Sequence, residues 1–469
     1  VSLKKYGKEK TIFEKADCFL KRHLSGDTLD YRRIIALIIP LFIDQTFIIC
    51  TNFFNISMIS SSGMDAVSAV NMVDSINLFL LSVFIAVATG GTVIVAQMKG
   101  RGNHREVPRA ISGTVTSVFL ISFGIGLLII IFSSVILGFL FGNAEENVLI
   151  NAQLFLVGSA ASYVFFGLTE SVSASLRGLG ETRSSLLLTL CMNGLYVLLN
   201  IILVLECSLG IVGMIISLLA ARIIASGVAV YLLIRRKNMF RLSFSKIIRI
   251  DPPMLGRAFA LGIPFAAEQM FFNGGKLLTQ TFIVGMGTYA IATHAITSSI
   301  TSLFMIPANT LSLGIITVVG QCMGNKDIAQ AKKSIRTFSV MTSLSILIMA
   351  VVILPFIGNI VGVFHPTDNI VGSILLITFV NTAAQLIFWP SSFLFPSALR
   401  AAGDARFTSV VSMLSMWLFR VVMGYVMGVI FGWGVPGVWF AMEAEWGVRG
   451  VIFWLRLRGD KWYRHKVID

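Results

Sequence analysis

The chain has 469 residues, of which 56% are hydrophobic and only 13% charged, with a mean hydropathy of +0.84. So little charge cannot cover the surface of a soluble protein of this length, and an integral membrane protein is the class that remains. The formal net charge of +14 would raise nucleic-acid binding for a soluble chain, but the cations are placed as a membrane requires, which makes nucleic acid the poorer reading.

Residues 1–32 form a basic tail without the apolar core of a cleavable signal peptide, so the first span is expected to insert uncleaved. Ile12, Phe13, Ala16, Phe19, Leu20 and Leu24 recur at helical spacing among Lys10, Lys15, Lys21 and Arg22. That pattern suits an amphipathic helix on anionic lipid; a disordered basic segment that only sets topology is the alternative. Apolar windows of spanning length then follow at 34–58, 67–96, 110–139, 148–175, 184–205 and 211–234, and again at 258–283, 291–320, 337–363, 371–398, 407–431 and 435–455. No period-two alternation of the outer-membrane barrel kind is present. The expected fold is an all-α integral membrane protein with twelve transmembrane helices in two duplicated six-helix bundles. The bundles run over 33–236 and 257–456, joined by a linker at 237–256 and followed by a basic tail at 457–469.

Of the 37 Lys and Arg residues, 33 fall in the tails and in alternate loops, leaving Arg222, Lys276, Arg420 and Arg449 inside spans. The other loops carry Asp65, Glu145, Glu146, Glu206 and Asp368 instead. By the positive-inside rule both termini are expected to be cytoplasmic in a multi-pass protein of the cell (plasma) membrane, the inner membrane of bacteria. The cysteines Cys18, Cys50, Cys191, Cys207 and Cys322 are scattered without a CxxC, implying neither a disulfide framework nor a metal site.

The two halves are copies. At a constant offset of 224, Arg33, Pro40, Gln45, Phe47, Gly63, Gly90, Gln97 and Gly100 fall on Arg257, Pro264, Gln269, Phe271, Gly287, Gly314, Gln321 and Gly324, and Asp44 falls on Glu268. Internal duplication with interrupted, charged spans is the pattern of a secondary transporter. At 1.5 Å per residue Asp44 lies about 16 Å along its span, near the middle of a hydrocarbon core about 30 Å thick, and Glu268 lies at the same depth. A carboxylate there costs on the order of 2.5 to 3.5 kcal/mol even on a lenient scale, so it is expected to pair, protonate or handle a cation. Pro40 and Pro264 each precede an acid by one turn, remove a backbone hydrogen bond and mark candidate hinges. Asn55 lies three turns beyond Asp44 on nearly the same face. Glu268 is the expected principal coupling acid and Asp44 its counterpart or a substrate counter-ion. A carboxylate locked onto an in-span arginine is the structural alternative, better suited to Asp44 than to Glu268.

These residues resemble the multidrug and toxic compound extrusion (MATE) transporters. The marks are Pro40 and Gln45, Thr89-Gly90-Gly91, Gln97-Met98-Lys99-Gly100 and its counterpart Gly320-Gln321-Cys322-Met323-Gly324, with a basic loop after each. Leu176-Arg177-Gly178-Leu179-Gly180-Glu181-Thr182-Arg183 also matches Leu399-Arg400-Ala401-Ala402-Gly403-Asp404-Ala405-Arg406 at an offset of 223. The resemblance implies two bundles facing each other in a V and export of hydrophobic, often cationic compounds in exchange for protons or sodium ions. It also exposes departures. Asn55 stands where many members have an aspartate, helix 5 offers only Asn193 and Asn200, and helix 10 offers Asn381 and Gln385 without a carboxylate.

The other in-span charges suit structure first. Arg420, Glu443, Glu445 and Arg449 are expected to form a paired network between the last two spans. Arg222 has Glu170 as a candidate partner. Lys276 could snorkel to water, pair with Asp74, or hold Glu268 two turns below it, and His294 suits a tolerated polar residue. Phe47, Phe54, Met270, Phe271 and Phe272 could wall a cavity for flat cations. No P-loop, Rossmann, zincin or nucleophile-elbow motif is present, so an ATP-driven pump or an enzyme is disfavoured. The reading is therefore a monomeric antiporter of hydrophobic or cationic small molecules, working in the lipid bilayer with no cofactor beyond a proton or sodium gradient and no metal beyond a transported sodium ion. A flippase of lipid-linked saccharides is the nearer alternative, and a membrane receptor or channel the more distant one.

Overall fold

The computed structural model describes residues 21, 24–59, 64–102, 105–142, 145–235, 251–364 and 366–464, with side chains described except at 52, 53, 55–59 and 64. The described residues contain helices and turns and no strand, as a membrane requires of a chain that must satisfy its backbone hydrogen bonds within each segment. The first half comprises α1 (Tyr31–Ile59), α2 (Met64–Gly100), α3 (Val107–Phe141), α4 (Glu146–Gly178), α5 (Thr182–Asn200, prolonged by a π-helical turn Ile201–Glu206) and α6 (Gly210–Arg235). The second comprises α7 (Pro252–Gly285), α8 (Thr288–Gly324), α9 (Ile328–Ile353, continuing to Gly362), α10 (Asp368–Trp389, continuing to Ala401), α11 (Ala405–Ser415, continuing to Ile430) and α12 (Gly434–Arg458). Twelve long helices thus match the twelve expected spans.

Ten of the twelve are apolar enough to cross a membrane on hydropathy alone. The other two are α7 and α12, which carry Glu268 and Lys276, and Glu443, Glu445 and Arg449. Helix α9 begins nine residues before its hydrophobic window, because its first turns bear Lys332, Lys333 and Arg336, which hydropathy discounts but a helix outside the hydrocarbon tolerates. The equivalent turns after α4 and after α10 both pass through a glycine in the left-handed region, Gly180 at φ 75° and Gly403 at φ 99°.

Within the first half α4 packs on α2, α3 and α6, while the halves meet chiefly where α7 and α8 pack on α2, with α8 also against α1 and α7 against α3. The largest hydrophobic cluster draws on both halves and lies at the end of the molecule bearing the basic loops, called here the basic end. It gathers Ile34, Val95, Met98, Leu176, Ile315, Val319, Leu399 and Phe453. The remaining clusters are confined largely to one half each. On the outside, α3 presents Phe132, Val135 and Phe139, the last 88% exposed, as lipid-facing side chains do.

The proposed amphipathic helix falls mostly on residues 12–20, outside the described residues. Its last apolar member, Leu24, is instead buried within the protein, in the same cluster as Leu29, Tyr31 and Trp462. Residues 25–30 form a strap onto the start of α9. Gln330 accepts from the Thr28 and Leu29 amides and donates to the Leu29 carbonyl (2.8, 3.2 and 2.7 Å), and the Thr28 hydroxyl donates to Asp327 (3.0 Å). A Cβ on Gly26 would overlap the Gln330 side chain, so a larger residue there would push Gln330 out of its place against the strap.

Candidate ion and substrate site

In the first half α1 carries Asp44 inward, one turn beyond Pro40, and buries it to 3% exposure. Thr189 of α5 and Gln45 approach the carboxyl, and Arg177 and Glu170 of α4 act on it electrostatically. Its Oδ1 is buried without a hydrogen-bond partner among the described residues. Arg177 is held by its own helix instead: Nη2 meets Glu170 Oε1 at 2.5 Å, and Nη1 donates to the Ser173 hydroxyl at 3.1 Å.

In the second half α7 buries Glu268 equally deeply, one turn beyond Pro264. Here the acid has partners. Arg400 Nη2 lies 2.6 Å from Oε1, the Ser409 hydroxyl donates to Oε2 at 3.0 Å, and the guanidinium stands 4.2 Å from the Phe265 ring centroid. Arg177 and Arg400 are the equivalent arginines of the duplicated motif, yet only Arg400 engages the acid of the first helix of its half. The reason lies two turns earlier on the same helix: Glu170, which captures Arg177, has Phe393 at its equivalent position. The arginine-locked carboxylate is therefore Glu268 rather than Asp44, reversing the expectation. Both arginines, counted with the basic loops in the sequence, are largely buried ion-pair members, each side chain 11% exposed. Their recurrence at matching positions beside a small-residue turn was the available signal.

The other expected residues scatter. Gln45, Gln269 and Asn193 are half-buried on α1, α7 and α5. The side chain of Asn55 lies outside the described residues. Asp74 is exposed on α2 and faces Asn77, which accepts from the Tyr163 hydroxyl at 2.6 Å. Arg222 donates to the Ser162 hydroxyl (2.5 Å) and stacks on Phe166, so Glu170 is not its partner. Lys276 pairs with neither Asp74 nor Glu268; its ammonium stands 4.8 Å from the Phe272 ring, whose other cation is Arg420 at 5.1 Å. The network of α11 and α12 holds three of its four expected members: Glu445 binds Arg420 at 2.7 Å and Arg449 at 2.9 Å. Glu443 points elsewhere, to Asn381 of α10 at 3.3 Å, because two residues along a helix turn a side chain to the far face. His294 accepts from the Trp439 indole at 3.2 Å, as a tolerated polar residue.

At the basic end the halves are sewn together reciprocally. Gln97 of α2 donates to the Ala401 carbonyl (2.7 Å), its equivalent Gln321 of α8 donates to the Gly178 carbonyl (3.0 Å), and Thr317 donates to the Arg177 carbonyl (2.9 Å). A Cβ on Gly100 would overlap the Gln321 carbonyl, and one on Gly324 the Gln97 carbonyl. Farther along, Asn273 of α7 donates to Ser82 of α2 at 3.1 Å.

The model of the MatE family matches this chain twice, over residues 40–203 and 264–426, the same offset as the duplication. The chain belongs to the MatE family. It is a MATE transporter and not an enzyme. Among its relatives, "Uncharacterized transporter YisQ" of Bacillus subtilis (strain 168) is 26% identical over 437 residues, covering 92% of this chain and 94% of that protein. "Probable multidrug resistance protein NorM" of Thermotoga maritima is 26% identical over 413 residues, covering 86% and 87%. Among solved structures, a MATE protein in a bent conformation superposes with a TM-score of 0.82 at 16% identity, over 93% of this chain and 96% of that one. A transporter from Pyrococcus furiosus, described as having a binding pocket of reverse polarity, superposes with a TM-score of 0.79 at 16% identity, over 94% and 97%. These likenesses show the fold. The twelve-helix MATE architecture and the multi-pass membrane setting accordingly stand as the sequence anticipates.

Proposed function

We propose that this MATE transporter exports hydrophobic, often cationic small molecules across the plasma membrane in exchange for protons or sodium ions. Two six-helix halves alternate access, with the basic end in the cytoplasm. The observation that carries the reading is the unequal pair of buried acids. Asp44 has an oxygen with no partner, which a proton or a cation would satisfy, whereas Glu268 has an arginine that an arriving ion would have to displace. The prolines one turn before each acid supply a bendable element for either event to bias.

Protons competing for carboxylate charge weaken the binding of a cationic substrate, so its affinity falls as pH falls or as sodium rises, whichever ion couples. In purified protein reconstituted into liposomes, Asp44→Asn is expected to abolish gradient-driven transport of a fluorescent hydrophobic cation while leaving the protein folded. Wild-type rates in Asp44→Asn, Glu268→Gln and the double variant would remove both acids from coupling. Hypersensitivity of a deletion strain to hydrophobic cations separates export from the flipping of lipid-linked saccharides. For orientation, a reporter fused after Arg249 is expected on the cytoplasmic side and one between Glu145 and Asn147 outside; the reverse at both sites would overturn the charge argument.

A further inference from the structure

The second half holds a strip of side chains whose charges do not cancel. It runs from Lys276 across Phe272 to Arg420, through Glu445 to Arg449, and on across Phe393. Three cations share one carboxylate, an excess of two, and the other acid of α12, Glu443, engages Asn381 instead. Arg400, close enough to Arg449 to act on it, is already neutralised by Glu268. The donors are unspent as well. Arg449 is 2% exposed with Nε and Nη2 lacking any hydrogen-bond partner among the described residues, and the indole N–H groups of Trp389 and Trp446, beside it around Phe393, lack one there too. At the other end of the strip Lys276 is exposed, with no ion pair among the described residues, and it shares its aromatic contact with the buried Arg420. Uncompensated charge inside a membrane is costly and persists where it handles a ligand.

We propose that this strip is a binding site for the anionic group, a carboxylate, sulfonate or phosphate, of an amphiphilic substrate, with Lys276 as the first contact. The proposal rests on the export reading and narrows it: the substrates carry an anionic group beside their apolar or cationic part. A planar apolar body would lie against Phe272 and Phe271, the latter 48% exposed, while the anion meets the ammonium.

The test uses two probes with one fluorophore, dansylglycine, which bears a carboxylate, and a dansyl amine ending in a quaternary ammonium. Binding is measured on the purified protein and gradient-driven transport in liposomes. Wild-type protein is expected to bind dansylglycine saturably. Lys276→Gln is expected to weaken it about tenfold or more without weakening the quaternary probe, and Lys276→Arg to retain it. If Lys276→Gln does not fold, Lys276→Met, which keeps the apolar stem, is read in the same way. Absent or unsaturable dansylglycine binding by wild type, equal loss of both probes in the variant, or no loss of either, overturns the proposal. Transport of the quaternary probe in any of those cases leaves the export reading standing; transport of neither probe by wild type sinks both.

Discussion

Removing the carboxylate of Glu268 leaves Arg400 charged, largely buried and without its ion pair, a loss of the kind that costs about 3 to 5 kcal/mol. Glu268→Gln is therefore expected to lower the midpoint of thermal unfolding, and adding Arg400→Met to restore most of it without restoring transport. Asp44→Asn removes a carboxylate that already lacks a partner for one oxygen, so its midpoint should equal or exceed that of wild type. Equal destabilisation by the two single variants would show that the asymmetry between the acids is not energetic. Both acids were legible in the sequence from their depth and repetition. Their partners were not, because Arg177 and Arg400 sit where a helix end and a loop have the same composition. Which arginine reaches which acid was decided by Glu170, a residue of the first half with no acidic equivalent in the second.

At the scale of helices, hydropathy and charge located every span to within a few residues, except where a helix runs past the hydrocarbon on charged turns, as α9 does. Winding was beyond reach. Arg420 lies in the π-helical stretch Met416–Met423, and the wider turn sets the direction in which its guanidinium meets Glu445. No side-chain pattern announces that change, since the hydrogen-bond register of a backbone depends on its packing. Pro264 was legible, and it sits inside α7 between the seam at Gly262, which packs on Val87, and the ion pair at Glu268. Pro264→Ala restores a backbone hydrogen bond there. Turnover in liposomes is expected to fall several-fold with expression and substrate affinity preserved, and an unaltered rate would remove the proline from the mechanism.

At the scale of the whole molecule, the largest hydrophobic cluster shared by the halves lies at the basic end, where the Gln97 and Gln321 side chains cross between them. The alternating access proposed above requires that seam to part. Cys322 reports on it, being fully buried there. In a protein whose only cysteine is Cys322, Gly100→Ala, by wedging a methyl group against the Gln321 carbonyl, is expected to raise the rate of maleimide labelling about tenfold. Labelling at the wild-type rate would mean that the glycine contact does not hold the seam. The strap of residues 25–30 has a consequence in time. Its partner Gln330 lies 302 residues further along the chain than Thr28, on the order of 15 to 60 s of ribosome travel. Through that interval the first half must insert with its leading edge undocked, and the strap can close only after α9 emerges. It thereby marks the point in synthesis at which one half becomes answerable to the other.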